Sequence, residues 1–97
     1  MHVQIISGEQ ATGKTTQLLA IQSKLKRQGI QAPIHVGEHF TTPYFLNQIT
    51  QQATAGAKHF LADDCTRFQI KAALELKAKG IYAGVPYDFV AHLVRKA

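Results

Sequence analysis

The sequence predicts an α/β fold: a three-layer domain with a four-stranded parallel sheet, formed by residues 1–97 as a single unit. Three observations carry that prediction. Short apolar runs alternate with stretches of helical period, strand then helix, four times along the chain, with only short connections between them. The first connection, Gly8-Glu9-Gln10-Ala11-Thr12-Gly13-Lys14-Thr15, leaves an apolar strand and runs straight into an amphipathic helix. The composition, 45% apolar and 18% charged, suits one modest core and leaves little chain for a second domain.

Residues 2–7 read as the first strand. His2 and Gln4 alternate there with Val3 and Ile5, so one face is less buried than in a central strand. The first helix spans Lys14 to Gln28, with an apolar stripe of Leu18, Ile21 and Leu25 and Gly29 as its cap. Residues 30–36 read as the second strand. Pro33 cannot donate to a ladder, so this strand lies at an edge or begins after the proline. After a turn at 37–40, Thr42 and Pro43 read as cap and first residue of a helix that carries Phe45, Ile49 and Ala53 and ends before Gly56. Lys58 to Ala62 is a third strand running into Asp63 and Asp64, and Thr66 to Lys79 a third helix that Gly80 ends. Ile81 to Val85 is apolar throughout and reads as a central fourth strand. Pro86 and Asp88 suit the opening turn of a last helix, with Phe89/Leu93 and Val90/Val94 as i, i+4 pairs.

Eleven basic against six acidic residues give a net charge of +5, which admits nucleic acid as a partner. Placement gives a plainer reason for the excess. Lys24, Lys26, Arg27, Lys77, Lys79, Arg95 and Lys96, seven of the eleven, fall at the C-terminal ends of predicted helices, where cations offset the helix dipole. No aromatic residues interleave with them to stack on bases. No apolar run approaches the ~20 residues that span a bilayer, and no basic-then-apolar leader opens the chain. Cys65 is the only cysteine, so no intrachain disulfide forms. A cytoplasmic protein without membrane contact is expected.

The string from Gly8 to Thr15 fits G-x-x-x-x-G-K-[ST], and its spacing has a chemical reason. Gly8 leaves the strand through angles a side chain would hinder. The amides of Glu9, Gln10, Ala11 and Thr12 turn inward towards one anion. Gly13 lets backbone approach phosphate oxygens, Lys14 reaches the β- and γ-phosphates, Thr15 offers its hydroxyl to Mg²⁺, and Thr16 lies in the helix turn whose positive end faces the phosphates. In its strand–loop–helix context the string resembles the P-loop of the P-loop NTPase superfamily. The resemblance touches residues 3–25 and 58–64. It implies ATP and Mg²⁺ as ligands, and no guanine-reading Asn-Lys-x-Asp occurs. It also implies that strand three lies beside strand two. Strand four then either flanks strand one or inserts between one and three, and its apolar character favours insertion.

Ligands of an open parallel sheet gather at the carboxyl ends of its strands, here Ser7/Gly8, Gly37/Glu38, Asp63/Asp64 and 85–88. The run Phe60-Leu61-Ala62-Asp63 resembles the Walker B element, which makes Asp63, with Thr15, the Mg²⁺ residue. Asp64 stands where many superfamily ATPases have a glutamate that positions the attacking water. It is one methylene shorter, which implies slow hydrolysis. Either aspartate would otherwise cap the next helix. Arg67 is the one arginine placed to serve the site, since Arg27 and Arg95 fall at the wrong helix ends; surface placement is its alternative. Lys14, Asp64 and Arg67 are thus the candidate catalytic residues. Glu38, His39, Tyr87 and Asp88 would contact a phosphoryl acceptor or the base, or simply shape turns. Cys65, beside two carboxylates, reads as a small buried residue rather than a thiolate.

Three functions follow from the resemblance: an ATP–Mg²⁺ binding protein with weak or partner-dependent NTPase activity, a small-molecule or nucleotide kinase, and a non-catalytic nucleotide-binding adaptor. In the first, a homo-oligomer or a protein partner supplies the missing arginine.

Overall fold

The computed structural model describes residues 1–7, 13–80 and 84–96. In chain order it contains β1 (His2–Ile6), α1 (Lys14–Arg27), β2 (Ile34–Val36), a 3-10 turn (Gly37–His39), α2 (Thr42–Thr54), β3 (His59–Cys65), α3 (Arg67–Lys79) and β4 (Val90–Arg95). The four strands make one all-parallel sheet in the order β1-β4-β3-β2. Because alternate residues of a strand face opposite ways, the sheet feeds two cores. Ile6, Leu61 and Val94 pack with Leu18 and Leu25 of α1 on one face. Phe60, Ala62 and Leu93 pack with Phe45 and Ile49 of α2 and Ile70 and Ala73 of α3 on the other.

The termini of these elements follow from side-chain chemistry. β2 begins directly after Pro33, which has no amide hydrogen to contribute. Thr41, not Thr42, caps α2: its Oγ1 accepts from the Tyr44 amide at 3.3 Å, and Pro43 sits inside the first turn. Thr66 caps α3 through a capping box, its Oγ1 accepting from the Gln69 amide (3.1 Å) while Gln69 Oε1 accepts from the Thr66 amide (3.0 Å). Neither Asp63 nor Asp64 therefore serves as that cap. Gln69 is buried and also donates through Nε2 to the carbonyls of Gly37 (2.7 Å) and Phe40 (3.0 Å), tying α3 to the turn after β2. A β-carbon on Gly37 would stand 2.7 Å from Gln69 Oε1 and 3.0 Å from the Cys65 α-carbon, so this approach requires glycine.

The fourth strand and the last helix expected from the sequence are corrected. Of the run Ile81 to Val85, residues 81–83 lie outside the described residues, while Gly84 and Val85 belong to no strand. The strand is instead Val90–Arg95, the segment expected to be helical, and no helix follows α3 among the described residues. The reason is burial on both faces. Ala91 and Leu93 enter one core and Val94 the other, so apolar residues stand on both sides of the strand and its i, i+4 pairs carry no helical meaning. β4 nevertheless takes the inserted position, paired with β1 on one side and β3 on the other.

One polar cluster interrupts the α1 face. His92, buried in β4, meets Gln4 Oε1 through Nδ1 at 2.7 Å and His59 Nδ1 through Nε2 at 3.0 Å. Satisfying all three groups makes His92 Nδ1 the donor to Gln4 and His59 Nδ1 the donor to His92. Burial, helped by the neighbouring His59, lowers the His92 pKa to about 4, and burial lowers those of His35 and His59 as well. A histidine whose folded pKa is depressed contributes stability that is present above the unfolded value of 6.5 and is lost as pH falls towards the folded value. The urea midpoint is therefore expected to drop between pH 7 and pH 5, and to drop less in His92→Gln. Equal midpoints for the wild type at the two pH values would refute this.

Candidate functional site

The site forms at the carboxyl ends of β3 and β4, where α1 begins. Gly13 occupies the left-handed region (φ 78°, ψ 21°), which a side chain resists, and its carbonyl accepts from the Gln17 amide at 3.0 Å to open the helix. Lys14, the first helical residue, is buried, and its Nζ donates to the carbonyl oxygen of Arg95 at 3.2 Å. Thr15 Oγ1 donates to Asp63 Oδ2 at 3.0 Å. The other carboxylate oxygen of Asp63 accepts from the Asp64 amide at 2.9 Å, which fixes the group's orientation. Lys14, Thr15 and Asp63 are thus held at one edge by α1, β3 and β4, although 48 positions separate Thr15 from Asp63. Thr16 is exposed in the same helical turn. Gly8, Glu9, Gln10, Ala11 and Thr12, the rest of the expected loop, lie outside the described residues.

Asp64 follows at φ 48°, where the β3–β4 register shifts between Ala62 and Cys65. Arg67 is exposed, with its guanidinium 5.0 Å from the centre of the Phe68 ring. The expectation for Arg95 is corrected: it ends β4, on the site's own edge, and its side chain lines a groove with Ser7 and Arg67. Lys96 likewise ends no helix. It pairs with Glu38 at 2.8 Å, and that ammonium holds the Glu38 carboxyl below its ordinary value. Tyr87 and Asp88 are also corrected. They precede β4 and so lie at the amino edge of the sheet, where Asp88 pairs with Lys58 at 2.9 Å and Tyr87 meets His2 ring edge to face. Burial, then the Asp63 carboxylate, pushes the Cys65 thiol up to about 12, so it stays protonated. His35 stacks on Phe60 and meets Gln52, and His39 is exposed at the end of the 3-10 turn.

Arg95 is the site residue that sequence reasoning missed. Ala91, Leu93 and Arg95 share one strand face, and the β-branched Val90 and Val94 favour a strand, but the paired i, i+4 spacing competes with that signal.

A hydroxyl and a carboxylate in contact are hard oxygen donors of the kind Mg²⁺ takes, and that ion commonly uses only one or two protein oxygens beside water and phosphate. No group of three or more His, Cys, Asp or Glu residues is arranged to hold a metal among the described residues. Beside the oxygen pair lie a buried ammonium and the start of a helix without an acidic residue in its first turn, a combination that suits a phosphate. Comparison with models of known protein families, with curated proteins and with solved structures finds no match for the chain.

Proposed function

We propose that this chain is an ATP–Mg²⁺ binding protein of the P-loop kind, with weak or partner-dependent NTPase activity. The observation that carries the reading is the 3.0 Å contact between Thr15 and Asp63, which joins the end of the glycine-bounded loop to the acidic end of β3. Packing of α1 on β3 brings together the two side chains that the chemistry of the loop requires to meet. Thr15 and Asp63 hold the cation, Asp63 being oriented by the Asp64 amide. Lys14 places its ammonium on the phosphates, and Gly13 gives the backbone room to approach them. Bound Mg²⁺ supplies neutralising charge on the β- and γ-phosphate oxygens.

The experiment is a calorimetric titration of ATP with and without Mg²⁺. The wild type is expected to bind more tightly with the cation. Asp63→Asn keeps the side chain's shape and one acceptor but loses the charge, and is expected to forfeit most of that gain, about tenfold or ~1.4 kcal/mol. Identical Mg²⁺ dependence in both proteins would leave Asp63 as no more than an acceptor for Thr15.

A further inference from the structure

The two edges of the sheet differ. β2 is three residues long and follows Pro33, two devices that keep an edge from pairing with another chain. β1 is five residues long, without proline, lysine or bulge, and among the described residues nothing pairs with it on the side away from β4. Beside β1 runs a groove of about 240 Å³ under one stripe of α3. Its floor is apolar, formed by Ile5, Ile70 and Leu74, of which Ile5 is 39% and Leu74 41% exposed. Its rim carries three cations, Arg67, Lys71 and Arg95. The ion pairs of the described residues engage Lys58 and Lys96, and none reaches these three.

We propose that the free edge of β1 and this groove dock an extended, acidic segment of another protein, added to the sheet as a fifth strand. Each feature accounts for part of the occupant. An unpaired strand offers main-chain hydrogen bonds, and pockets for alternate side chains then set specificity. Alternate residues of an added strand face α3 at roughly 7 Å spacing. Apolar ones cover Ile5 and Leu74, and acidic ones reach the rim. Three like charges around an apolar floor repel one another, and incoming carboxylates relieve that repulsion. A second copy of this chain suits the rim poorly. It carries +5, and Glu38 and Asp88, two of its six acidic residues, are already paired. A nucleic acid would use the cations but leave the strand edge and the apolar floor unmatched. Ser7 lines the groove directly before the loop, and the carbonyl of Arg95 holds Lys14, so the docked segment would lie next to the phosphate-binding residues. The inference stands on the edge and the groove and does not require nucleotide binding.

The test uses the full chain without nucleotide or Mg²⁺, so its outcome is separate from that of the ATP reading. The probe is a blocked, fluorescent heptapeptide, Glu-Thr-Val-Thr-Val-Thr-Glu, whose one face reads Glu, Val, Val, Glu in either direction. Anisotropy at low salt gives affinity, and amide shifts in nitrogen-15 spectra locate the contact. Binding is expected to shift the β1 amides. It is expected to weaken at least tenfold in each of three cases: Lys71→Ala combined with Arg95→Ala (both exposed), lysine in place of the probe's glutamates, and N-methylation of its alternate amides. Four results overturn the proposal: no binding at millimolar peptide, equal binding of the N-methylated or lysine probe, tighter binding of a thymidine octanucleotide through the same cations, or dimerisation of the chain with the same β1 shifts.

Discussion

Lys14→Ala is expected to weaken ATP binding by tenfold to a hundredfold, roughly 1.4–2.8 kcal/mol, the scale of a lost charge-assisted contact in a partly dry site. The residue sits at the first turn of α1 with its side chain buried, and its Nζ lies 3.2 Å from the Arg95 carbonyl oxygen. An ammonium has three donors, so contact with that carbonyl is compatible with contact to phosphate. The same bond provides the competing explanation, that Lys14 merely pins the end of β4 to the start of α1. Two measurements separate the roles. A structural lysine gives a lower melting temperature with ATP affinity unchanged in the folded fraction. A ligand-binding lysine gives the affinity loss by calorimetry in a protein that still melts cooperatively. Lys14→Arg is expected to share the loss, because a planar fork does not replace a compact point charge at the end of a flexible stem.

The parts legible in the sequence were those whose signals are local. The apolar stripe of α1, the proline before β2 and the threonine–proline opening of α2 each act within a few residues, and each appears in the structure at the expected place or one residue from it. Asp63 was legible as the first charged residue after the apolar run Phe60-Leu61-Ala62, although β3 continues past it to Cys65. Val90–Arg95 was not, because a strand buried on both faces loses the alternation that distinguishes it from a helix. That one misreading spread to the site. It moved Tyr87 and Asp88 to the wrong edge of the sheet and removed Arg95 from the right one. The hydrogen bond from Lys14 to the Arg95 carbonyl was out of reach for a different reason: it depends on the order of strands across the sheet, which only packing decides.

Turnover by the isolated, dilute protein is expected to fall well below the ~1–100 s⁻¹ typical of kinases. Asp64, the candidate for orienting water, has a short side chain, and its backbone at φ 48° is committed to donating its amide to Asp63. Arg67 is exposed and lies over the Phe68 ring, a resting place from which it does not neutralise a developing phosphoryl charge. Arg95 lines the neighbouring groove, and it is the carbonyl of this residue, not its guanidinium, that meets Lys14. In the proposed reading binding needs none of these groups, because Gly13, Lys14, Thr15 and Asp63 would complement phosphate and cation by themselves. Affinity and rate should therefore separate. An arginine delivered by a neighbouring subunit or a docked partner would be worth about 10³-fold or more in rate, whereas adding one to the ground state changes affinity far less. The measurement is phosphate release per molecule over a dilution series, with the association state followed by sedimentation. Activity that starts low and rises with concentration, or on addition of a partner, is the expected result. A rate above about 1 s⁻¹ that stays constant on dilution of a demonstrated monomer would mean that Asp64 and the chain's own arginines already complete the catalytic set.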